Sequence, residues 1–123
     1  MKLLRLRGRK VCDHLLRHGS VWKGRHMLIR WSGDHPRHPS VRRDTQAIYV
    51  GTIASTKLDK SAVRRNRMRR RCREALRIVL KKLSEAPTTQ LLIAPRSSSL
   101  DAPFLALEGD IASFFSFRIH GRR

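Results

Sequence analysis

The chain has 123 residues, 40% of them apolar, which is the size and apolar content of one ordinary domain. Its 28 Lys and Arg against 9 Asp and Glu give a formal charge of +19, which points to a polyanionic partner, nucleic acid first. No apolar run approaches the ~20 residues of a membrane span, the start Met1-Lys2-Leu3-Leu4-Arg5 is broken by charge before a signal-peptide core could form, and Cys12 and Cys72 lack metal or disulfide spacing; together these predict a soluble, cytoplasmic protein in a reducing compartment.

In chain order, Val11, Cys12, Leu15 and Leu16 have helical spacing, and Gly19-Ser20 stops a first helix over 9–18. From Val21 to Trp31 the period is two, with Met27, Ile29 and Trp31 on one side and Leu28 and Arg30 on the other, as in a half-buried strand. The segment 32–40, with Pro36, Pro39 and Gly33, reads as loop. Residues 46–55 are β-rich and nearly uncharged, which suits a central strand covered on both faces; Gly51 within it marks a bulge or a close neighbour.

Between Lys57 and Lys82 stand twelve basic residues and only two acidic ones, Asp59 and Glu74. Met68, Cys72, Ala75, Leu76, Val79 and Leu83 share one face of a helix, and Asn66, Arg70, Arg73 and Arg77 share the opposite one, which predicts a long amphipathic helix with an arginine ridge. Ala86-Pro87 ends it. Residues 89–94 read as a further strand, and a last helix begins near Asp101, a candidate cap, with Phe104, Leu107, Ile111, Phe114 and Phe115 on its apolar face. The expected class is α+β, an α/β two-layer arrangement; the elements read as helix, strand, strand, helix, strand, helix, with room for a split of the middle strands that gives α-β-β-β-α-β-α, and with a single domain over 1–118, a basic tail over 119–123 and no internal repeat. The long helix between two strands makes a βαβ unit, so part of the sheet is expected to be parallel.

The sharpest chemical signal is 64–73, where seven of ten residues are arginine. Guanidinium groups hold phosphate in bidentate fashion and stay charged, and an asparagine can meet sugar hydroxyls or base edges. An ordinary solvated helix face would alternate acid with base, and here Glu74 is the one acid available. Trp22 and Trp31, beside Lys23, Arg25 and Arg30, offer either base-stacking surfaces or core packing. The acids are scattered, with no carboxylate cluster for a metal-dependent nuclease. His35 and His38 in a proline-rich loop read as solvated, and Cys72 reads as a small core residue, so neither a catalytic nor a metal site is expected.

The run Val50-Gly51-Thr52-Ile53-Ala54-Ser55-Thr56-Lys57, followed by Lys60-Ser61-Ala62-Val63-Arg64-Arg65-Asn66-Arg67-Met68-Arg69-Arg70 and Arg73-Glu74-Ala75-Leu76-Arg77, resembles the protein component of bacterial ribonuclease P; upstream, Arg5-Leu6 and the first helix extend the resemblance over roughly 5–117. The resemblance implies the ribonuclease P protein / ribosomal S5 domain 2-like fold with a left-handed βαβ crossover, against the usual right-handed rule. It also implies a catalytic RNA subunit that binds most of the Mg²⁺, removal of the 5′ leader from precursor tRNA, and a protein monomer in a 1:1 complex with the ribonuclease P RNA, with no DNA or membrane partner. The ridge and the matched motif give RNA-binding candidates Lys57, Lys60, Arg64, Arg65, Asn66, Arg67, Arg69, Arg70, Arg73 and Arg77. Thr56 stands where a second lysine is common, and Asp59 and Lys60 split a position that is usually glycine or basic. Cys12, Leu16 and Met27 occupy places that are typically aromatic in the leader cleft, with Arg25, Arg30 and Trp31 as a replacement surface. The rival readings are a non-catalytic ribosomal-type RNA binder and, lower, a helix-turn-helix DNA module, for which no short helix pair precedes the basic helix.

Overall fold

A computed structural model describes residues 2–44 and 46–121. The elements are β1 (Lys2–Arg5), α1 (Arg9–His18), β2 (Ser20–Lys23), β3 (Met27–Ser32), β4 (Ala47–Thr52), α2 (Ala62–Lys82), β5 (Thr89–Pro95), a 3₁₀ turn (Ser97–Leu100) and α3 (Phe104–His120). From α1 onward the order is the expected one. The five strands form one sheet in the order β1-β4-β5-β3-β2. β4 pairs with β5 in parallel across the α2 crossover, β1 joins β4 in parallel, and β3 runs antiparallel to both β2 and β5.

The sheet's two faces follow from strand alternation. On one, Met27, Ile29, Ile48, Val50, Leu91 and Ile93 meet Cys72, Leu76 and Val79 of α2 and Leu107, Ile111, Phe114 and Phe115 of α3 in the main core. The other face is more thinly covered: Leu6, Val11, Leu15, Ala47, Tyr49 and Leu92 form a smaller cluster under α1. The expected sheet-and-helix layering thus holds for α2 and α3, and α1 adds cover on the far side. β4 is buried on both faces over its first four residues, as its lack of charge predicted. An added Cβ at Gly51 would stand 3.3 Å from a Leu92 methyl and 3.4 Å from a Leu6 methyl, so a close neighbour explains the glycine.

Several boundaries differ from the sequence reading. β1 was not expected, because four residues with a single half-buried side chain give no alternation to read. The single strand expected over 21–31 is a hairpin, β2 and β3, broken at 24–26. Its tip is pinned from α3: the buried Asp110 carboxylate accepts hydrogen bonds from the backbone N–H groups of Arg25 (3.2 Å) and His26 (2.8 Å). Asp101 does not cap α3; it closes the 3₁₀ turn, and Pro103, whose ring fixes φ near the helical value, leads into the helix. Helix α3 extends through His120, and Arg122 and Arg123 of the expected tail lie outside the described residues. Cys72 is fully buried, and burial pushes its thiol up to about 12, consistent with a core role and not a nucleophilic one.

Candidate nucleic-acid interface

The segment 53–61 turns the chain from β4 into α2 and is tied down before the helix starts. Ser61 caps α2, its hydroxyl accepting from Arg64 N–H at 3.2 Å, and Asp59 accepts from Ser61 N–H at 2.8 Å. Asp59, the acid where the family pattern favours glycine or a base, also sits 3.4 Å from the Arg64 guanidinium. It therefore organises the helix entry.

The arginines of α2 divide by what they touch. Arg65 donates to the carbonyls of Asp59 (2.8 Å) and Lys60 (3.2 Å). Arg69 donates to Ala54 O (3.0 Å) and to Asn66 Oδ1 (2.6 Å), so these two cations brace the 53–61 segment against the helix. Arg71 turns the other way and donates to the carbonyls of Leu100 (2.9 Å) and Ala102 (2.6 Å), satisfying the end of the 3₁₀ turn. Arg77 pairs with Glu74, which holds the Glu74 carboxyl below its ordinary range and the guanidinium above its own. Arg67, Arg70 and Arg73 are exposed and, like Lys57 and Lys60, have no ion pair among the described residues. These three guanidiniums, at steps of three along the helix, form the exposed core of the arginine ridge.

The leader-binding candidates do not lie together. Strand alternation puts Arg30 on the α1 face and Trp31 on the α3 face, where its ring meets Phe114 (5.9 Å) and Phe117 (6.0 Å) edge to face. The Arg118 guanidinium covers the Trp31 ring at 4.9 Å, so this tryptophan takes the core-packing alternative. Trp22 likewise packs on Phe114 at 5.7 Å. Arg25 is exposed at the hairpin tip. Of the three residues at usually aromatic places, Met27 is fully buried on the α2–α3 face, and Cys12 packs on the small cluster under α1.

Only Leu16 reaches a groove, and that groove is substantial. A cavity of about 520 Å³ opens between α1 and the sheet, floored by Leu28, Leu92 and Ala94 and walled by Leu16, Ile53 and Leu58. Arg30 stands on its edge, donating to Leu16 O at 3.3 Å, and Arg96 stands nearby, donating to Gly24 O at 3.2 Å. The 53–58 wall is the segment that Arg69 braces, so α2 is tied to the groove through that wall. Sequence reasoning missed Leu28, Ile53, Leu58 and Arg96. For Leu28 a signal existed, since the β3 alternation sets it beside Arg30 on the side away from the core.

Comparison with known proteins converges. A family model for Ribonuclease P matches residues 1–117. Among curated relatives, the ribonuclease P protein component of Parasynechococcus marenigrum is 33% identical over 102 residues, covering 80% of each chain. That of Prochlorococcus marinus is 31% identical over 112 residues, covering 87% of this chain and 88% of its own. The ribonuclease P protein of Thermotoga maritima superimposes with a TM-score of 0.69 at 16% identity, covering 90% of this chain and 94% of its own. A Staphylococcus aureus counterpart gives 0.66 at 16% identity, covering 94% and 96%.

Proposed function

The chain belongs to the ribonuclease P protein family, and from that membership we infer that it is the RNA-binding protein subunit of the ribonuclease P ribonucleoprotein, an endoribonuclease complex of tRNA processing. Its partner is the ribonuclease P RNA. The finer reading is that the complex removes the 5′ leader of precursor tRNA, with the catalytic centre in the RNA and one protein bound per RNA, in the cytoplasm. The observation that carries it is the exposed face Arg67, Arg70 and Arg73, unpaired among the described residues, on the helix whose Arg69 braces the wall of an open groove.

Physically, two RNAs brought together repel, and cations fixed on a folded helix reduce that repulsion without the loss of entropy that gathering free ions would entail. The groove suits a single strand: an apolar floor receives base faces while Arg30 and Arg96 on the edge meet phosphates. Leader contact is thereby assigned to Arg30 and not to Trp31, whose ring is already covered.

Mg²⁺ would supply the activated water and charge stabilisation of phosphodiester hydrolysis. Of this chain's nine acids, Asp59 is engaged with Ser61 and Arg64, Glu74 with Arg77, Glu108 with Lys82, and Asp110 with backbone amides. The proposal that RNA holds the ion rests on family membership; among the described residues no three His, Cys, Asp or Glu side chains gather as a metal site.

The test is cleavage of a precursor tRNA by the cognate ribonuclease P RNA at low Mg²⁺, with wild-type protein and with the Arg67→Ala/Arg70→Ala double variant. Wild-type protein is expected to restore cleavage and the double variant to restore it poorly. No rescue by folded wild-type protein overturns the reading.

A further inference from the structure

The ridge and the groove leave a third basic surface unused. Where β1 runs beside β4, the loop 33–44 folds back over the thinly covered face of the sheet and closes a pocket of about 390 Å³ lined by Lys2, Arg5, Arg7, Arg42, Ser40 and Tyr49. Four of these are cations and none is an acid.

The pocket is held in shape by contacts within the fold. Tyr49 is 3% exposed and in register with Leu4 of β1, so its ring forms the floor. The loop is fastened at several points: the His35 ring meets Tyr49 edge to face at 6.1 Å, Gln90 donates to Asp34 O at 3.0 Å, and Pro36 is buried. His38 then organises the return, its Nδ1 accepting from Ser40 N–H at 3.1 Å and its carbonyl from Val41 N–H at 3.0 Å. Gly8 makes the close approach possible. Its φ is +93°, and a Cβ there would lie 3.3 Å from the His38 ring. An ion pair on the pocket's lining, Arg42 with Asp44 at 3.3 Å, is exposed on both sides, so a phosphate can compete for that guanidinium.

We propose that this pocket is a second phosphate-binding site, engaging the sugar–phosphate backbone of the ribonuclease P RNA through Lys2, Arg7 and Arg42. The proposal rests on the RNA-subunit reading above and extends it to a face that the ridge does not occupy. The permanent RNA partner is favoured over the precursor on energetic grounds. Contacts made equally to precursor and product slow release, whereas the same contacts on the RNA subunit strengthen assembly without that effect.

The experiment measures affinity of the full chain for the cognate ribonuclease P RNA, and separately for a precursor tRNA, across a salt series, for wild type, Arg7→Gln/Arg42→Gln, and Arg67→Ala/Arg70→Ala. Each lost phosphate contact lowers the slope of log affinity against log salt by ~0.7 to 0.9. The Arg7/Arg42 variant is expected to lose roughly 1.5 from the slope and to bind about tenfold more weakly at low salt. A second variant, Ser40→Glu, places a negative charge at the pocket mouth while keeping every cation, and is expected to weaken binding as well. Thermal unfolding confirms that each variant is folded. If wild type binds and the ridge variant weakens but both pocket variants match wild type, the second site is wrong and the RNA-subunit reading stands. If the pocket variants lose affinity for precursor tRNA alone, the assignment to the RNA subunit is overturned. If folded wild-type protein fails to bind the RNA, the reading beneath both fails.

Discussion

Neighbouring arginines on α2 do different work, and the difference can be measured. Arg70 faces solvent without a carboxylate, while Arg71 satisfies carbonyls at the end of the 3₁₀ turn and lies 6.0 Å from the Phe104 ring. Charge-assisted hydrogen bonds of that kind are worth ~1.5 to 3 kcal/mol, and their loss leaves backbone acceptors unpaired. Arg71→Ala is therefore expected to cost on the order of 2 kcal/mol, roughly 5 to 10 °C in Tm, with an unchanged salt slope for RNA binding in the protein that remains folded. Arg70→Ala is expected to do the reverse: a slope lower by ~0.7 to 0.9 and a Tm unchanged or slightly raised, since a like-charge neighbour has gone. Thermal scans and salt-dependent binding on the two variants settle it, and equal Tm losses would refute the division. The sequence marks both residues only as members of one arginine run. Arg71 is set apart by partners 29 and 31 positions away, which no local pattern contains.

At the scale of elements, the β2–β3 hairpin depends on α3. Asp110 receives the two amides of the hairpin tip, and at Gly24 an added Cβ would come 2.6 Å from its Oδ2, so the carboxylate and the chain have closed on each other. Asp110→Ala would strand both N–H groups at a cost of ~1 to 3 kcal/mol. Hydrogen exchange on that variant is expected to quicken first at the amides of Arg25 and His26, with the amides of β5 keeping their protection; uniform acceleration across the sheet would contradict a local latch. This contact also explains why the hairpin was read as one strand, because the break at 24–26 is enforced by a residue 85 positions away. The long helix was legible for the opposite reason: its apolar stripe repeats at helical spacing over about four turns, and Met68, Cys72, Ala75 and Leu76 are all fully buried. β1 was not, since Leu4 is 42% exposed and the strand is defined by backbone pairing to β4. Trp31 falls between these cases. The period of two in β3 already separated it from Arg30, and the proximity of the two in sequence concealed that they serve opposite faces of the sheet.

For the whole molecule, the dominant quantity is the +19 charge. Among the described residues four ion pairs offset it, and three of them, at Arg42, Arg64 and Arg77, are largely solvent-facing and contribute little. The remaining cations repel one another in the folded state more than in an expanded chain, so the free protein is less stable than its well-filled core would suggest. A polyanion that binds the folded ridge and the basic faces removes the repulsion and, by mass action, stabilises the native state by ~2.7 kcal/mol at one hundred times its dissociation constant. Tm measured at low ionic strength is accordingly expected to rise by several degrees on adding submillimolar polyphosphate, a concentration too low to act through exclusion from the protein surface, and to rise far less with chloride at equal ionic strength. The Arg67→Ala/Arg70→Ala variant should begin at an equal or higher Tm and gain less, because it has both less repulsion to relieve and fewer sites for the anion. A wild-type Tm indifferent to polyphosphate would mean that the excess charge is already accommodated within the fold, and that RNA binding draws on contacts other than charge neutralisation.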